Sequence, residues 1–184
     1  FRSIADVCKQ VGWLYYVGHG NQYGWGGGGF NNEQARNLLT NTKTYPVVFA
    51  AGCETGMFTP YIGLSKQQSA PRAPVYQDGR CFASDWLFCA NQAGAIAYFG
   101  ESVSGENNWG ASLASFLTQE IAWGNKSILG DAFLNAQRNY WLKGGTNVIG
   151  APRIFLGIMT FFGDPSLRLR PAAGNGQISL WNVD

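Results

Sequence analysis

The sequence lacks the features that mark several large classes of protein. Its 13 basic and 11 acidic residues leave a formal net charge of only +2, so we expect no large cationic surface for nucleic acid or anionic lipid. No uninterrupted apolar run approaches the eighteen or more residues that a membrane-spanning helix needs. We therefore predict neither a nucleic-acid partner nor a membrane span.

Histidine and closely paired cysteines are scarce as well. His19 is the only histidine, and the four cysteines include no C-x-x-C pair, which leaves too few ligands for a zinc site. Cys81 and Cys89 fall in one helix-like segment, where eight residues of helix span roughly 12 Å. A disulfide needs Cα atoms within about 7 Å, so we expect this pair not to close. We predict that catalysis requires neither a metal ion nor a cofactor.

The residues that are present indicate one packed α/β domain. A chain of 184 residues that is 46% hydrophobic and 15% aromatic can bury a proper core. Apolar runs before His19, before Cys53 and over Ala95–Phe99 each lead into glycine, which is typical of buried parallel strands. Between and after them, helical spacing predicts helices over residues 31–40, 81–91, 109–123 and 127–142. The expected fold is a mainly parallel sheet between helices.

Two segments are predicted to be loops. Residues 54–80 are rich in proline, serine and glutamine, which favours a long loop that acts as a flap beside the site. Residues 24–29 satisfy the dinucleotide-binding pattern G-x-G-x-x-G, but that pattern needs its first glycine at the end of the strand, and the strand is expected to stop near Val17. A flexible glycine-rich loop is the better interpretation.

His19 and Cys53 form the candidate catalytic pair. They lie 34 positions apart, just after two apolar runs, and the carboxyl ends of neighbouring parallel strands open at the same edge of a sheet. A histidine that precedes its cysteine is the chain order of caspases, whereas papain-like proteases have the reverse order. The spacing therefore permits a base and a nucleophile that meet at one edge.

Each residue of this pair also has a structural interpretation. A strand-end cysteine by itself is most often a small buried hydrophobe, and a lone histidine is commonly packed or hydrogen-bonded. The pairing, together with the turn from Gly18 to Gly20 that leaves little cover over His19, favours catalysis. A third catalytic member cannot be chosen from Glu54, Asp85 or Glu101.

Four blocks of sequence follow one another in order: residues 16–20 with Trp25, residues 47–53, residues 94–100 with Asn108 and Trp109, and residues 162–170. Together these blocks resemble the gingipain family of cysteine peptidases, relatives of caspases and legumains. The resemblance implies a caspase-like three-layer α/β/α fold and a cysteine endopeptidase with a Cys53 thiolate and His19 as general acid and base. The alternatives are a catalytically silent secreted scaffold or binding module, and a peptide transferase or ligase.

The resemblance also implies roles for further residues. Backbone N–H groups of Gly20 and Cys53 would form the oxyanion hole, while Trp109, Val17 and Ala51 would line the primary specificity pocket. Preference for a basic residue before the scissile bond is inherited from the family. The family resemblance likewise implies structural calcium and a secreted or cell-surface location, although the sequence contains no calcium-loop spacing.

Residues 1–170 are predicted to form the caspase-like catalytic domain or subdomain, and residues 171–184 a linker and the start of a following segment. The sequence begins at Phe1, without a methionine and inside an apparent amphipathic helix. We therefore expect a processed chain or a fragment, the catalytic half of a larger domain that an upstream polypeptide segment completes. Its partner in function would be a protein or peptide substrate.

Overall fold

The computed structural model describes residues 3–26, 29–58, 81–89, 92–105, 107–122, 126–144 and 156–169. The helices are α1 (Ile4–Cys8), α2 (Asn32–Leu38), α3 (Phe82–Leu87), α4 (Asn107–Ala122) and α5 (Leu129–Asn139), and a π-helical turn follows at Tyr140–Gly144. The strands are β1 (Trp13–Val17), β2 (Gly20–Asn21), β3 (Gly24–Trp25), β4 (Val47–Ala51), β5 (Ala97–Glu101) and β6 (Met159–Gly163).

Four strands form the central sheet, in the order β1-β4-β5-β6. β1 pairs with β4 and β4 with β5 in parallel, whereas β6 runs antiparallel to β5. Every residue of β4 and β5 is buried, as expected for inner strands that are covered on both faces. The prediction of an α/β fold with a mainly parallel sheet is confirmed.

The helices cover both faces of this sheet. Residues of α1, α2 and α3 pack with Val48, Ala50 and Tyr98 on one face, while residues of α4 and α5 pack with Phe49 and Phe99 on the other. Side chains alternate along a strand, so neighbouring residues of β4 and β5 contribute to opposite cores. The three predicted layers are therefore present.

The helix termini agree in part with the sequence-based boundaries. α2 begins at a capping box, in which the Asn31 side chain accepts from the Gln34 N–H and the Gln34 side chain accepts from the Asn31 N–H. It ends earlier than predicted because Leu39 is extended. α3 is much shorter than the predicted segment 81–91, since Phe88 leaves helical geometry with φ −120° and ψ 45°.

The predicted bounds of the third strand, Ala95–Phe99, are wrong by two residues. Ala95 belongs to the preceding turn, where its N–H donates to the Trp86 carbonyl at 2.8 Å. Gly100 does not end the strand: it lies inside β5, and a Cβ there would stand 2.9 Å from the Gly56 backbone nitrogen. Glu101 is therefore the last residue of β5.

The first residues of the segment predicted to be a long loop from residue 54 are packed in the core. Thr55 is completely buried, and Glu54 and Met57 are nearly so. This turn belongs to the core, and the rest of the predicted flap, residues 59–80, lies outside the described residues, as do residues 171–184. In the predicted glycine-rich loop, β2 and β3 form a short antiparallel hairpin.

All four cysteines are free thiols. In the part of the chain that the structure describes, none of the helices is long and apolar enough to cross a bilayer.

Candidate functional site

The parallel pairing of β1 and β4 brings the candidate dyad to one edge of the sheet. Val17 lies opposite Ala51, and the register continues past the strands, since the Gly18 N–H donates to the Ala51 carbonyl at 3.1 Å. Two residues farther along each chain are His19 and Cys53. A Cβ on Gly20 would stand only 2.9 Å from the Cys53 carbonyl oxygen, so the two turns are in direct backbone contact.

Hydrogen bonds fix the backbone of His19. Its carbonyl accepts from the Tyr16 hydroxyl at 2.5 Å and from the Gly26 N–H at 2.6 Å. The His19 side chain is exposed. The residue is therefore anchored through its main chain while the imidazole remains accessible.

The Tyr16 side chain, which donates to the His19 carbonyl, packs in a cluster of buried aromatic rings. Tyr16 stacks on Trp25 with ring centroids 4.5 Å apart and an interplanar angle of 8°. The Trp25 indole N–H donates to the Tyr98 hydroxyl at 3.2 Å, and Phe82 and Trp86 complete the cluster. Such rings bury large apolar areas, and this burial stabilises the turn that carries the histidine.

The turn after β4 holds Cys53. Its thiol is half-buried and donates to the Gly105 carbonyl at 3.5 Å. The next residue, Glu54, has φ 62°, a left-handed conformation that is uncommon for a residue with a side chain. The Thr55 hydroxyl bridges back to the Gly52 carbonyl at 2.9 Å. Strained turns of this kind are concentrated at functional sites.

The two expected oxyanion donors belong to the touching turns. Gly20 lies against the Cys53 carbonyl group, as described above. Among the described residues the Cys53 N–H has no acceptor, so it is available to a ligand. An anion that forms beside the thiol could therefore receive a backbone donor.

The three residues expected to line a pocket are also neighbours. Val17 and Ala51 are register partners. Ala51 is buried in the cluster that packs against α4, whereas Val17 is exposed. Trp109 lies in the first turn of α4 and packs partly buried against the same cluster. The next residue, Gly110, is so close to Ala51 that a Cβ at position 110 would overlap the Ala51 methyl group.

Glu101 directly follows Gly100, the register partner of Ala50, so it continues the row of Val17 and Ala51 across the sheet; the sequence-based reasoning missed this position. Its side chain is completely buried, and Oε2 lies 2.5 Å from where a Gly105 Cβ would be. Burial raises the pKa of the Glu101 carboxyl to about 7, although the nearby Gly105 N–H partly opposes this rise. The available signal was strand alternation: Ala97, Phe99 and Glu101 follow every second position of β5.

The other two carboxylates considered for a triad are held differently. Asp85 accepts from the Asn32 side-chain amide at 2.6 Å and pairs with Arg36 at 3.4 Å, which joins α3 to α2. Glu54 accepts a 3.4 Å hydrogen bond from the Ser104 hydroxyl. Asp85 therefore helps to hold α3 against α2, and Glu54 links the turn after β4 to the turn after β5.

The described residues offer no ready metal centre. Within them, no three His, Cys, Asp or Glu side chains come together as a metal ion would require. Structural calcium stays a prediction from the family resemblance.

Comparison with known proteins gives this geometry a context. The family model named peptidase family C25 matches residues 3–170. The chain belongs to this family, that of the gingipains. No curated protein sequence matches it.

Solved gingipain structures share the fold. The structure of the Arg-specific cysteine proteinase gingipain R (RgpB) has a TM-score of 0.71 at 20% identity and covers 91% of this chain. A complex of the Porphyromonas gingivalis RgpB pro- and mature domains gives 0.71 at 19% over 91%, and a structure described only as a protease gives 0.56 at 17% over 88%. The chain spans about a third of the length of these proteins, 35% and 36% of each RgpB chain and 36% of the third.

Proposed function

We propose that this C25 domain is a cysteine peptidase that hydrolyses peptide bonds, with Cys53 as the nucleophile and His19 as the general acid and base. The observation that carries the proposal is the in-register pairing of β1 with β4, which makes the residues after the two strands neighbours. Contact between Gly20 and the Cys53 carbonyl supports the same arrangement. The half-buried thiol and exposed imidazole leave both groups open to a substrate.

In the proposed reaction the Cys53 thiolate attacks the carbonyl carbon of the scissile bond, and the C–N bond then breaks. His19, protonated when the thiolate forms, gives its proton to the leaving amine. Water, deprotonated by His19, attacks the resulting thioester and releases the free acid and the thiol. The N–H groups of Gly20 and Cys53 stabilise the negative charge on the carbonyl oxygen in both steps.

The substrates we propose are proteins and peptides cut within the chain after a basic residue. Ala51 and Trp109 belong to one apolar cluster, and Val17, the exposed register partner of Ala51, adds apolar surface beside them that suits the methylene stem of arginine or lysine. The similar RgpB structure is that of an Arg-specific proteinase, and for this chain the preference is part of the proposal. We also propose secretion or cell-surface display, as for its family, which fractionation with an antibody would test.

Covalent labelling tests the dyad. Peptidyl acyloxymethyl ketones with Arg, Lys, Asn, Asp or Leu next to the reactive group should modify Cys53 in the natural full-length protein. Adduct formation should be lost in Cys53→Ala and greatly slowed in His19→Ala. Cys81→Ala is the matched control, because it removes a buried thiol and should leave labelling unchanged.

The other cysteines make the readout selective. Burial raises the pKa of the Cys8 thiol to about 12 and that of Cys89 to about 11, where the Asp85 carboxylate contributes further. Both should stay unlabelled at neutral pH because thiols, unlike thiolates, are poor nucleophiles. Equal labelling of Cys8, Cys81 and Cys89 in all variants, with Cys53 untouched, would refute the proposal and favour a silent binding module.

Product analysis separates hydrolysis from transfer. A thioester can be resolved by water or by an amine. Mass spectrometry of the products with an added amino-acid amide should show the free acid as the main product. A predominant amide-linked product would instead identify a peptide transferase or ligase.

A further inference from the structure

The turn that carries Cys53 is bonded to the turn that follows β5. The Cys53 thiol donates to the Gly105 carbonyl at 3.5 Å. The next residue, Glu54, donates its N–H to the Val103 carbonyl at 3.3 Å and accepts from the Ser104 hydroxyl at 3.4 Å. The place of the thiol therefore depends on the turn after β5 as well as on its own turn.

The Glu101 side chain, at the end of β5, lies directly against Gly105. A Cβ at position 105 would stand 2.5 Å from Oε2 and 2.8 Å from the carboxyl carbon, so the carboxyl fills the space beside this backbone. The Gly105 N–H is close enough to favour the charged form of the carboxyl. Gly105 thus contacts both the Glu101 carboxyl and the thiol of the candidate nucleophile.

The start of α4 confines the carboxyl as well. Oε1 lies 3.5 Å from where a Gly110 Cβ would be, and Gly110 itself packs against Ala51 of β4. Glu101 has no exposed surface, and among the described residues neither of its side-chain oxygens makes a hydrogen bond of ordinary geometry. Burial of such a group is costly, and the rare exceptions to full hydrogen bonding require an explanation. The position therefore points to a role beyond packing.

We propose that Glu101 is a positioning residue for the nucleophile, and that it acts through Gly105. Its carboxyl holds Gly105 in place, and the Gly105 carbonyl holds the Cys53 thiol ready to pass its proton to the imidazole of the dyad. The inference rests on the proposed peptidase function. Once the imidazole has taken that proton, the sulfur no longer donates to Gly105, and the thiolate attacks the scissile carbonyl. Glu101 does not touch the substrate in this role, so it affects the chemical step and not substrate binding.

Covalent labelling separates positioning from binding. The peptidyl acyloxymethyl ketone that labels the natural full-length protein fastest gives two quantities, a maximal rate of Cys53 labelling and a half-saturating reagent concentration. Glu101→Ala should lower the maximal rate roughly tenfold or more, since small displacements of a reacting group are costly. The half-saturating concentration should stay within about twofold. Glu101→Gln keeps the shape of the carboxyl beside Gly105 and should restore the rate to within about threefold of the wild type.

A double-variant cycle tests the route through Gly105. Gly105→Ala places a methyl group against the Glu101 carboxyl and should also lower the maximal rate, by roughly tenfold. Glu101→Ala removes the group that this methyl would meet, so the double variant should lose no more than the worse single variant, whereas independent residues would multiply their losses. Leu117→Ala is the control, because it removes a buried side chain from the apolar cluster that contains Ala51 and should leave both labelling quantities unchanged.

The outcomes distinguish this inference from the peptidase proposal. A wild-type rate in Glu101→Ala, losses that multiply in the cycle, or an equal loss in Leu117→Ala overturns the positioning role. A raised half-saturating concentration with an unchanged rate also overturns it, because Glu101 would then contact the substrate. If Gly105→Ala does not fold, the two variants at position 101 decide. Absence of Cys53 labelling in the wild type refutes the peptidase proposal itself, and this inference with it.

Discussion

Replacing Glu101 by glutamine should stabilise the substrate-free protein, by an amount that grows with pH. Burial raises the pKa of the carboxyl from its usual 4.5 to about 7, because the charged form is poorly solvated where neither oxygen has a proper partner. Glutamine has nearly the shape of the protonated acid and never becomes charged. The variant therefore avoids the cost of ionisation in the folded state.

The direction of the pH dependence follows from proton binding. Below pH 4.5 the folded and unfolded states both hold the proton, so ionisation costs nothing. Between pH 4.5 and about 7 the unfolded chain releases the proton while the folded protein retains it, and stability falls as pH rises. The resulting penalty is about 1 kcal/mol at pH 5 and about 3 kcal/mol at pH 8.

Urea unfolding followed by tryptophan fluorescence measures this penalty. The difference in unfolding free energy between Glu101→Gln and wild type should increase by about 2 kcal/mol from pH 5 to pH 8. Other titrating groups cancel in the difference, and Glu54→Gln serves as the control for loss of a nearby carboxylate. A difference that is constant with pH, or a variant less stable than wild type at pH 8, refutes the reasoning.

Two further substitutions test the contact between the catalytic turns. Gly20→Ala places a methyl group 2.9 Å from the Cys53 carbonyl oxygen. The unfolding free energy should therefore fall by about 1–3 kcal/mol, and kcat/KM for peptides should drop at least tenfold. Gly12→Ala is the control, because its methyl group would have no atom within 4 Å, and it should change neither quantity. Tyr16→Phe keeps the ring but removes the hydroxyl that donates to the His19 carbonyl. The unfolding free energy measured in urea should fall by about 1 kcal/mol, and kcat/KM should also fall. An unchanged kcat/KM would show that this hydrogen bond does not position His19.

The fold was predictable where the sequence signal is local. Five apolar residues between Pro46 and Gly52 form β4 just as the pattern indicates, and capping residues mark the start of α2. The end of β5 was not predictable, because Gly100 resembles a strand terminator. Its contacts with the Tyr98 ring and with Gly56, which is far away in the chain, explain a glycine in mid-strand. The antiparallel direction of β6 likewise depends on long-range pairing.

The arrangement of the candidate site could likewise be predicted from the sequence only in part. That His19 and Cys53 would be neighbours could be inferred, since each follows a buried strand and parallel neighbours share an edge. That Glu101 would be buried without a partner could not, because burial depends on Gly105, Gly110 and the packing of α4 against the sheet. A carboxylate after an apolar run looks, in sequence, like an ordinary solvated acid.

The row at the sheet edge and the turn that carries the thiol occupy different segments of the chain. Cys53 lies beyond the end of β4, held by the Gly52 to Thr55 turn, whereas position 101 ends β5. Gly105 nevertheless joins them, since its carbonyl accepts from the Cys53 thiol while a Cβ on it would meet the Glu101 carboxyl. A codon change at position 101 therefore reaches the nucleophile through one shared glycine, so we expect substitutions at the strand end and in the thiol turn to be selected together.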